Sequence, residues 1–521
     1  MPRIYLYDTT LRDGTQRAGI SLSLEDKIQI AHLLDEFGLD YIEGGWPASN
    51  PKDTAFFQAA RSLPWQSRIA AFGSTRRKEF SATEDPSLNG IVEAGVPVAT
   101  IFGKASPFQV RDILGIDLDD NLKMVADSVR YLRDHDIEVV FDAEHFFDGA
   151  RLDREYAVAV CEAAAEAGAQ WVVLCDTNGG SLPDWIRELT ALVGRRISAP
   201  LGIHAHDDAG LAVANSLAAV DAGATMVQGT INGYGERCGN ANLCTIWPNL
   251  VFKMGLEAGQ KPAMVQELTR LSRTVAEIAN LAPDAGAPYV GENAFTHKAG
   301  VHVGAVRKHP EAYEHVPPES VGQKRRVLVS ELAGKSNLLY HYEELRPGSA
   351  ELAQVVEEVK RLEAQGYQFE DAESSMALLV QRALGQVPEY YQVERFHVSV
   401  TRDQAQPVTE ATVRLRVGTR SFLEVGAGDG PVHALDNALR KALTGIYPEV
   451  EDLKLTDYKV RVLDGRAATA STVRVLVRSE FRGQPISTVG VSGNILEASW
   501  QALLDAVDYS LWNSGITPME A

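Results

Sequence analysis

The sequence predicts an α/β protein: a (β/α)8 TIM barrel, then a helical linker subdomain, then an α+β C-terminal domain with an internal repeat. Three observations carry that expectation. Eight short apolar runs alternate with helical patterns over about the 250 residues that such barrels occupy. No GxGxxG follows the first run, so a doubly wound dinucleotide-binding sheet lacks its usual sign. Past Pro388 the pattern changes to period-two alternation, and a strand–turn–helix unit occurs there twice.

The runs centre on Ile4–Asp8, Tyr41–Gly44, Arg68–Gly73, Val98–Gly103, Glu138–Glu144, Trp171–Asp176, Leu201–His206 and Thr225–Thr230. Each is rich in β-branched, apolar or aromatic residues and ends in polar or glycine residues, as buried parallel strands do. Between them, Ser23 and Asp26 are placed to cap a helix, and the alanine-rich stretch Glu155–Ala167 is closed by Gly168. Met254–Leu281 reads as helical, 282–288 as a linker, and Glu343–Ala383 as a charged helical subdomain. The expected domains are 1–268, 269–388 and 389–521. In the last, Val425-Gly426 recurs as Val489-Gly490. At the same offset Ala434, Ala438 and Ala442 align with Ala498, Ala502 and Ala506. Small residues on one stripe predict close helix packing, with the two copies facing each other across a pseudo-two-fold axis.

Composition narrows the partners. A net charge of −20 over 521 residues argues against nucleic acid or an anionic membrane surface. It leaves room for an anionic small molecule, because a metal or local Arg and Lys can reverse the field inside one pocket. Four cysteines without a CxxC pair fit a reducing compartment. The chain enters its first strand without a basic-then-apolar leader, and no run approaches a membrane span, so the expected location is cytoplasmic.

Barrel active sites lie at the C-terminal strand ends, and chemistry-bearing residues gather there. The first strand delivers Arg12 and Asp13, the fifth Glu144 and His145, and the sixth Asp176 and Thr177. The seventh ends in His204-Ala-His206, and Gly233–Asn240 follows the eighth. Period-two spacing puts His204 and His206 on one face, so both imidazoles can reach a single ion. With Asp13 and the Asn240 amide oxygen they form a mixed N/O set suited to Mg²⁺, Mn²⁺, Co²⁺ or Zn²⁺. At the same rim, Ser74–Lys78 is read as a solvated charge run in preference to a coenzyme A phosphate contact. Asn178-Gly-Gly is read as a turn.

These pieces together resemble the metal-dependent barrel family of 2-isopropylmalate, homocitrate and citramalate synthases, with hydroxymethylglutaryl-CoA lyase a relative. The matching stretches are Asp8–Gln16, Ile42–Pro47, His204–His206, Gly235–Asn240, Phe295–His302 and Ser330–Ser336, and Glu43–Asp53 is most similar to the citramalate branch. The resemblance implies condensation of acetyl-CoA with a 2-oxo acid, pyruvate in the citramalate branch, followed by thioester hydrolysis. It implies Asp13, His204 and His206 as ligands of a divalent metal, with Asn240 fourth or more distant. Arg12 would stabilise an oxyanion, and Thr177 would bind the substrate carboxylate. Glu144, His302 and Tyr313 are candidates for base and acid, with roles left open; His297, His309 and His315 compete with His302, and of Glu144 and His145 only one can point inward. The resemblance further implies a homodimer, in which the His302 and Tyr313 segment reaches the other subunit's barrel mouth. It implies a regulatory C-terminal domain whose effector is isoleucine. A 2-isopropylmalate or homocitrate synthase differs only in pocket room. A lyase or aldolase, or a non-enzymatic sensor, ranks lower: the C-terminal repeat argues against the first and the intact site residues against the second.

Overall fold

The computed structural model describes residues 3–47, 49–328, 335–342, 344–402, 407–463 and 471–519. It divides into two compact units, one of residues 1–295 with 314–325, the other of 296–313 with 326–521. Residues 330–334 of the last matching stretch lie outside the described residues.

The first unit is a closed barrel of eight parallel strands in sequential order. They are β1 (Tyr5–Asp8), β2 (Tyr41–Gly45), β3 (Arg68–Ser74), β4 (Val98–Lys104), β5 (Glu138–Glu144), β6 (Trp171–Asp176), β7 (Leu201–Ala205) and β8 (Met226–Gly229), and β1 closes on β8. All eight stand where the sequence predicts them. Helices begin and end on the expected signals. Ser23 and Asp26 form a reciprocal capping box on Leu24–Phe37, and Gly168, at φ 99°, closes Arg154–Ala167. Outward-facing side chains such as Leu6, Ile42, Ile101, Phe141, Leu174 and Ile203 join the helices in one core, while Tyr7, Val98, Val140, Val173 and Met226 fill the barrel interior.

The stretch Met254–Leu281 departs from its expected single helix. Gly255 and Gly259 adopt φ of +65° and +72°, and Ala258 pairs with Ile4 of the first strand's approach. Pro262 then opens a 3-10 segment, and the α-helix covers only Leu268–Ile278. Apolar periodicity did not register two glycines whose left-handed backbone turns the chain toward the barrel wall.

The second unit contains a two-stranded parallel ribbon, β9 (Thr296–His297) and β10 (Arg326–Val327), the helices Ala350–Ala364 and Glu373–Ala383, and two antiparallel sheets. One sheet is β11 (Gln392–Arg402), β12 (Pro407–Val417) and β13 (Arg420–Gly428), followed by the helix Pro431–Thr444. The other is β14 (Leu453–Val462), β15 (Val473–Phe481) and β16 (Gln484–Ser492), followed by Ile495–Asn513. The copies agree in detail, since β11 and β14 each carry a register shift near the start. The alanine stripes, however, are used differently from expectation. A Cβ on Gly426 would overlap the backbone of Ala434 and Ala438, and one on Gly490 the carbonyl of Ala498. Each stripe therefore seats its helix on its own sheet, where the close approach is needed.

Candidate active site

The barrel interior changes character toward its C-terminal end. Side chains alternate between the two faces of a strand, so Glu43, Thr100, Asp142, His204 and Gln228 continue the inward series begun by Tyr41, Val98, Val140, Gly202 and Met226. Above them, a tight turn folds over the end of β1. The buried Asp8 carboxylate, pushed up to about 7 by burial, accepts from the Thr10 amide at 2.9 Å and its hydroxyl at 2.8 Å. Both the Arg12 and Gly14 amides return to the Thr9 carbonyl. This knot places Arg12 and Asp13 at the mouth.

Asp13, His204 and His206 converge there, offering one ligand atom each within 4.8 Å of one another. All are buried, Asp13 at 2%, His204 at 5% and His206 at 7% exposure. The Nε2 atoms of the two imidazoles stand 3.3 Å apart, and Asp13 Oδ2 lies 3.4 Å from His204 Nε2. Burial alone would raise the Asp13 pKa, but the Arg12 charge and then His204 hold it well below the usual carboxylate range. Burial likewise opposes a charged His204, yet its hydrogen bond and attraction to Asp13 raise it, while His206 is pushed down to about 3 by burial and by its neighbour. The two Nε2 atoms thus face the same small space beside Asp13 Oδ2.

Asn240 completes the cluster. The strand β7 stops at Ala205 because His206 bridges instead to Asn240 in the loop after β8. The Asn240 amide donates to Asp13 Oδ2 at 2.9 Å. Asp13 Oδ1 and Asn240 Oδ1 are buried without a hydrogen-bond partner, which native interiors seldom tolerate. Two orphaned oxygens beside two facing imidazoles fit a divalent cation. Gly179, at φ +62°, lets the loop after β6 approach: a side chain there would meet the His206 carbonyl at 2.8 Å.

Arg12 is held from three sides. Its Nε donates to Glu43 Oε1 at 2.6 Å, its Nη1 lies 3.3 Å from Asp13 Oδ2, and its guanidinium stacks 3.7 Å from the Phe72 ring centre. Glu43 accepts in addition from Tyr7 Oη at 2.9 Å. Trp46 stands edge-on to Phe72 and Phe102, at 5.7 and 5.9 Å, so three rings wall the mouth beside the guanidinium.

Glu144 continues the inward series of β5 and forms an ion pair with Lys104 at the end of β4. His145 leaves the strand at φ 60°, and its amide donates to the Thr177 hydroxyl at 2.8 Å. Asp176 faces outward and serves the following loop through Ser181. Arg76, in the rim charge run, is committed to Asp127 and the Phe80 carbonyl. His302 and Tyr313 belong to the second unit and stack on each other with centroids 4.1 Å apart.

Sequence reasoning did not single out Glu43, Lys104, Asp142 or Gln228. The available signal was strand alternation: each shares the inward parity of a predicted site residue or barrel-filling apolar residue.

Comparison with known proteins agrees along the whole chain. The family model described as HMGL-like matches residues 3–275, homocitrate synthase post-HMGL domain-like matches 289–367, and the LeuA allosteric (dimerisation) domain matches 370–511. The (R)-citramalate synthase of Aquifex aeolicus is 50% identical over 98% of this chain and 98% of its own. That of Geobacter sulfurreducens is 50% identical over 99% and 98%. The 2-isopropylmalate synthase of Methanocaldococcus jannaschii is 31% identical over 97% and 94%. With the barrel, the buried cluster of Asp13, His204 and His206 and a full-length match in hand, the chain belongs to the HMGL-like enzymes and, within them, to the (R)-citramalate synthase family.

Proposed function

We propose that the protein is an (R)-citramalate synthase. It joins the methyl carbon of acetyl-CoA to the ketone carbon of pyruvate and hydrolyses the thioester, giving citramalate and CoA for isoleucine synthesis. The observation that carries this reading is the end-to-end identity of 50% to (R)-citramalate synthases, against 31% to a 2-isopropylmalate synthase.

Asp13, His204, His206 and Asn240 would hold the divalent cation, Mn²⁺, Mg²⁺, Co²⁺ or Zn²⁺. Bound there, it supplies Lewis-acid polarisation of the 2-oxo acid's ketone. Arg12, fixed by Glu43 and Phe72, presents its remaining N–H groups to an oxyanion without reorganising. The Thr177 hydroxyl accepts from the His145 amide, which leaves its own proton to donate to the substrate carboxylate. Removing a proton from the acetyl methyl requires a positioned base. Glu144, held at the mouth by Lys104, is one candidate. His302 and Tyr313, stacked as a pair, are the others, offered across a homodimer as the matched dimerisation domain supports. The same domain, with its twofold repeat, supports an effector site for isoleucine. The test is free-thiol release from acetyl-CoA with pyruvate, 2-oxobutyrate, 2-oxoisovalerate and 2-oxoglutarate, with and without Mn²⁺ and isoleucine. Metal-dependent release strongest with pyruvate is expected. Preference for 2-oxoisovalerate would refute the substrate assignment, and no release would refute the reaction.

A further inference from the structure

We propose that Asp142 and Gln228 are positioning residues that fix which nitrogen of His204 faces the cation site, Asp142 acting by setting the orientation of the Gln228 amide. The proposal rests on the metal-binding reading above and adds residues outside the ligand set.

Asp142 Oδ1 accepts from Gln228 Nε2 at 2.9 Å, and Gln228 Oε1 stands 2.9 Å from His204 Nδ1. The row is sealed from water, with Asp142 at 4% and Gln228 at 0% exposure. The NH₂ end of the amide faces Asp142. Burial pushes this carboxyl up to about 7 against the pull of His204. In its ionised form it accepts and cannot donate, which holds the amide that way round. The carbonyl end is thereby turned to His204, where it too can only accept. Nδ1 must then carry the hydrogen, and Nε2, aimed at Asp13 and His206, is the nitrogen with a lone pair to give. Freed from Asp142, the amide can turn over. Its NH₂ would then face Nδ1, the hydrogen would move to Nε2, and the ligand face of His204 would be blocked. No Lys or Arg forms an ion pair with Asp142 among the described residues. Stability alone gives little reason to keep a carboxylate at that depth.

The test is titration of the full-length protein with Co²⁺, read by calorimetry and by the ligand-field absorption of the bound ion. Asp142→Asn lets its own NH₂ face the amide carbonyl and is expected to weaken binding about 10- to 100-fold. Gln228→Met removes the acceptor and is expected to do the same. The exchange Asp142→Asn with Gln228→Glu keeps the net charge and restores the hydrogen-bond direction. The amide introduced on β5 then donates to the carboxylate introduced on β8, and that carboxylate accepts from His204 Nδ1. It is expected to recover binding to within a few-fold of the unmodified protein, which a merely structural role would not allow. Unmodified affinity in Asp142→Asn or in Gln228→Met, or a folded double variant no better than Asp142→Asn, would overturn the proposal. Failure of the unmodified protein to bind Co²⁺ would instead overturn the metal-binding reading beneath it.

Discussion

Replacing Arg12 by Lys tests whether the guanidinium or merely its charge is needed. Arg12 bonds Glu43 at 2.6 Å, flanks Asp13 at 3.3 Å and stacks on Phe72 at 3.7 Å, using its fork and its planar face together. A lysine ammonium keeps the charge but cannot span Glu43 and Asp13 while lying flat on a ring. Losing the charge-assisted bond to Glu43 costs about 1.5–3 kcal/mol, and losing the desolvated ring contact about 1–2 kcal/mol. The barrel should therefore melt lower, with Glu43 left to the Tyr7 hydroxyl. On catalysis, removal of a preorganised oxyanion donor costs about 10²–10³ in kcat. Steady-state thiol release with pyruvate should show that loss in kcat, while KM for pyruvate moves little. A kcat within about tenfold of the unmodified enzyme would refute the assignment of Arg12 to the developing charge.

Other outcomes follow from the same geometry. His206→Ala should abolish metal-dependent turnover while size-exclusion chromatography still reports the dimer; full activity would refute the ligand set. Trp46→Ala opens the wall formed with Phe72 and Phe102, and should raise kcat/KM for 2-oxoisovalerate relative to pyruvate by about tenfold or more. Gly490→Val drives a side chain into the Ala498 carbonyl and should destabilise the C-terminal domain by about 1–3 kcal/mol, read as a lower melting transition and, on the proposed effector site, as loss of any isoleucine response. Burial pushes Asp40 up to about 6 against the pull of its Leu6 amide bond and Arg3. Its proton is held more tightly in the folded state, so its contribution is present below the ordinary 3.8 and lost as pH rises through about 6. Asp40→Asn should narrow the difference in melting temperature between about pH 5 and pH 8.

The barrel was legible because its signals are local. Each strand is a short apolar run ended by polar groups, and Ser23, Asp26 and Gly168 mark helix ends by chemistry that acts within one turn. His204 and His206 stood out because they lie two residues apart at the end of β7, and Asp13 because it adjoins Arg12. Glu43, Asp142 and Gln228 did not, since a single polar residue in an apolar strand gains meaning only when the barrel brings three strands together. The alanine stripes were read correctly as close-packing surfaces but assigned the wrong partner. Periodicity says which face of a helix is small, and the glycine it needs opposite lies on a strand whose position only the fold fixes.

The bridge between His206 and Asn240 has a consequence for assembly. Asn240, in the loop after the last strand, is hydrogen-bonded to Asp13, in the turn after the first, across 227 residues. The site is therefore a clasp over the seam where β1 meets β8, and no partial barrel contains it. An ion that binds only the closed form draws the chain toward closure by mass action. A chain stalled with seven strands in place would have both histidines but no Asn240 to meet Asp13, so metal uptake would report that the barrel has shut.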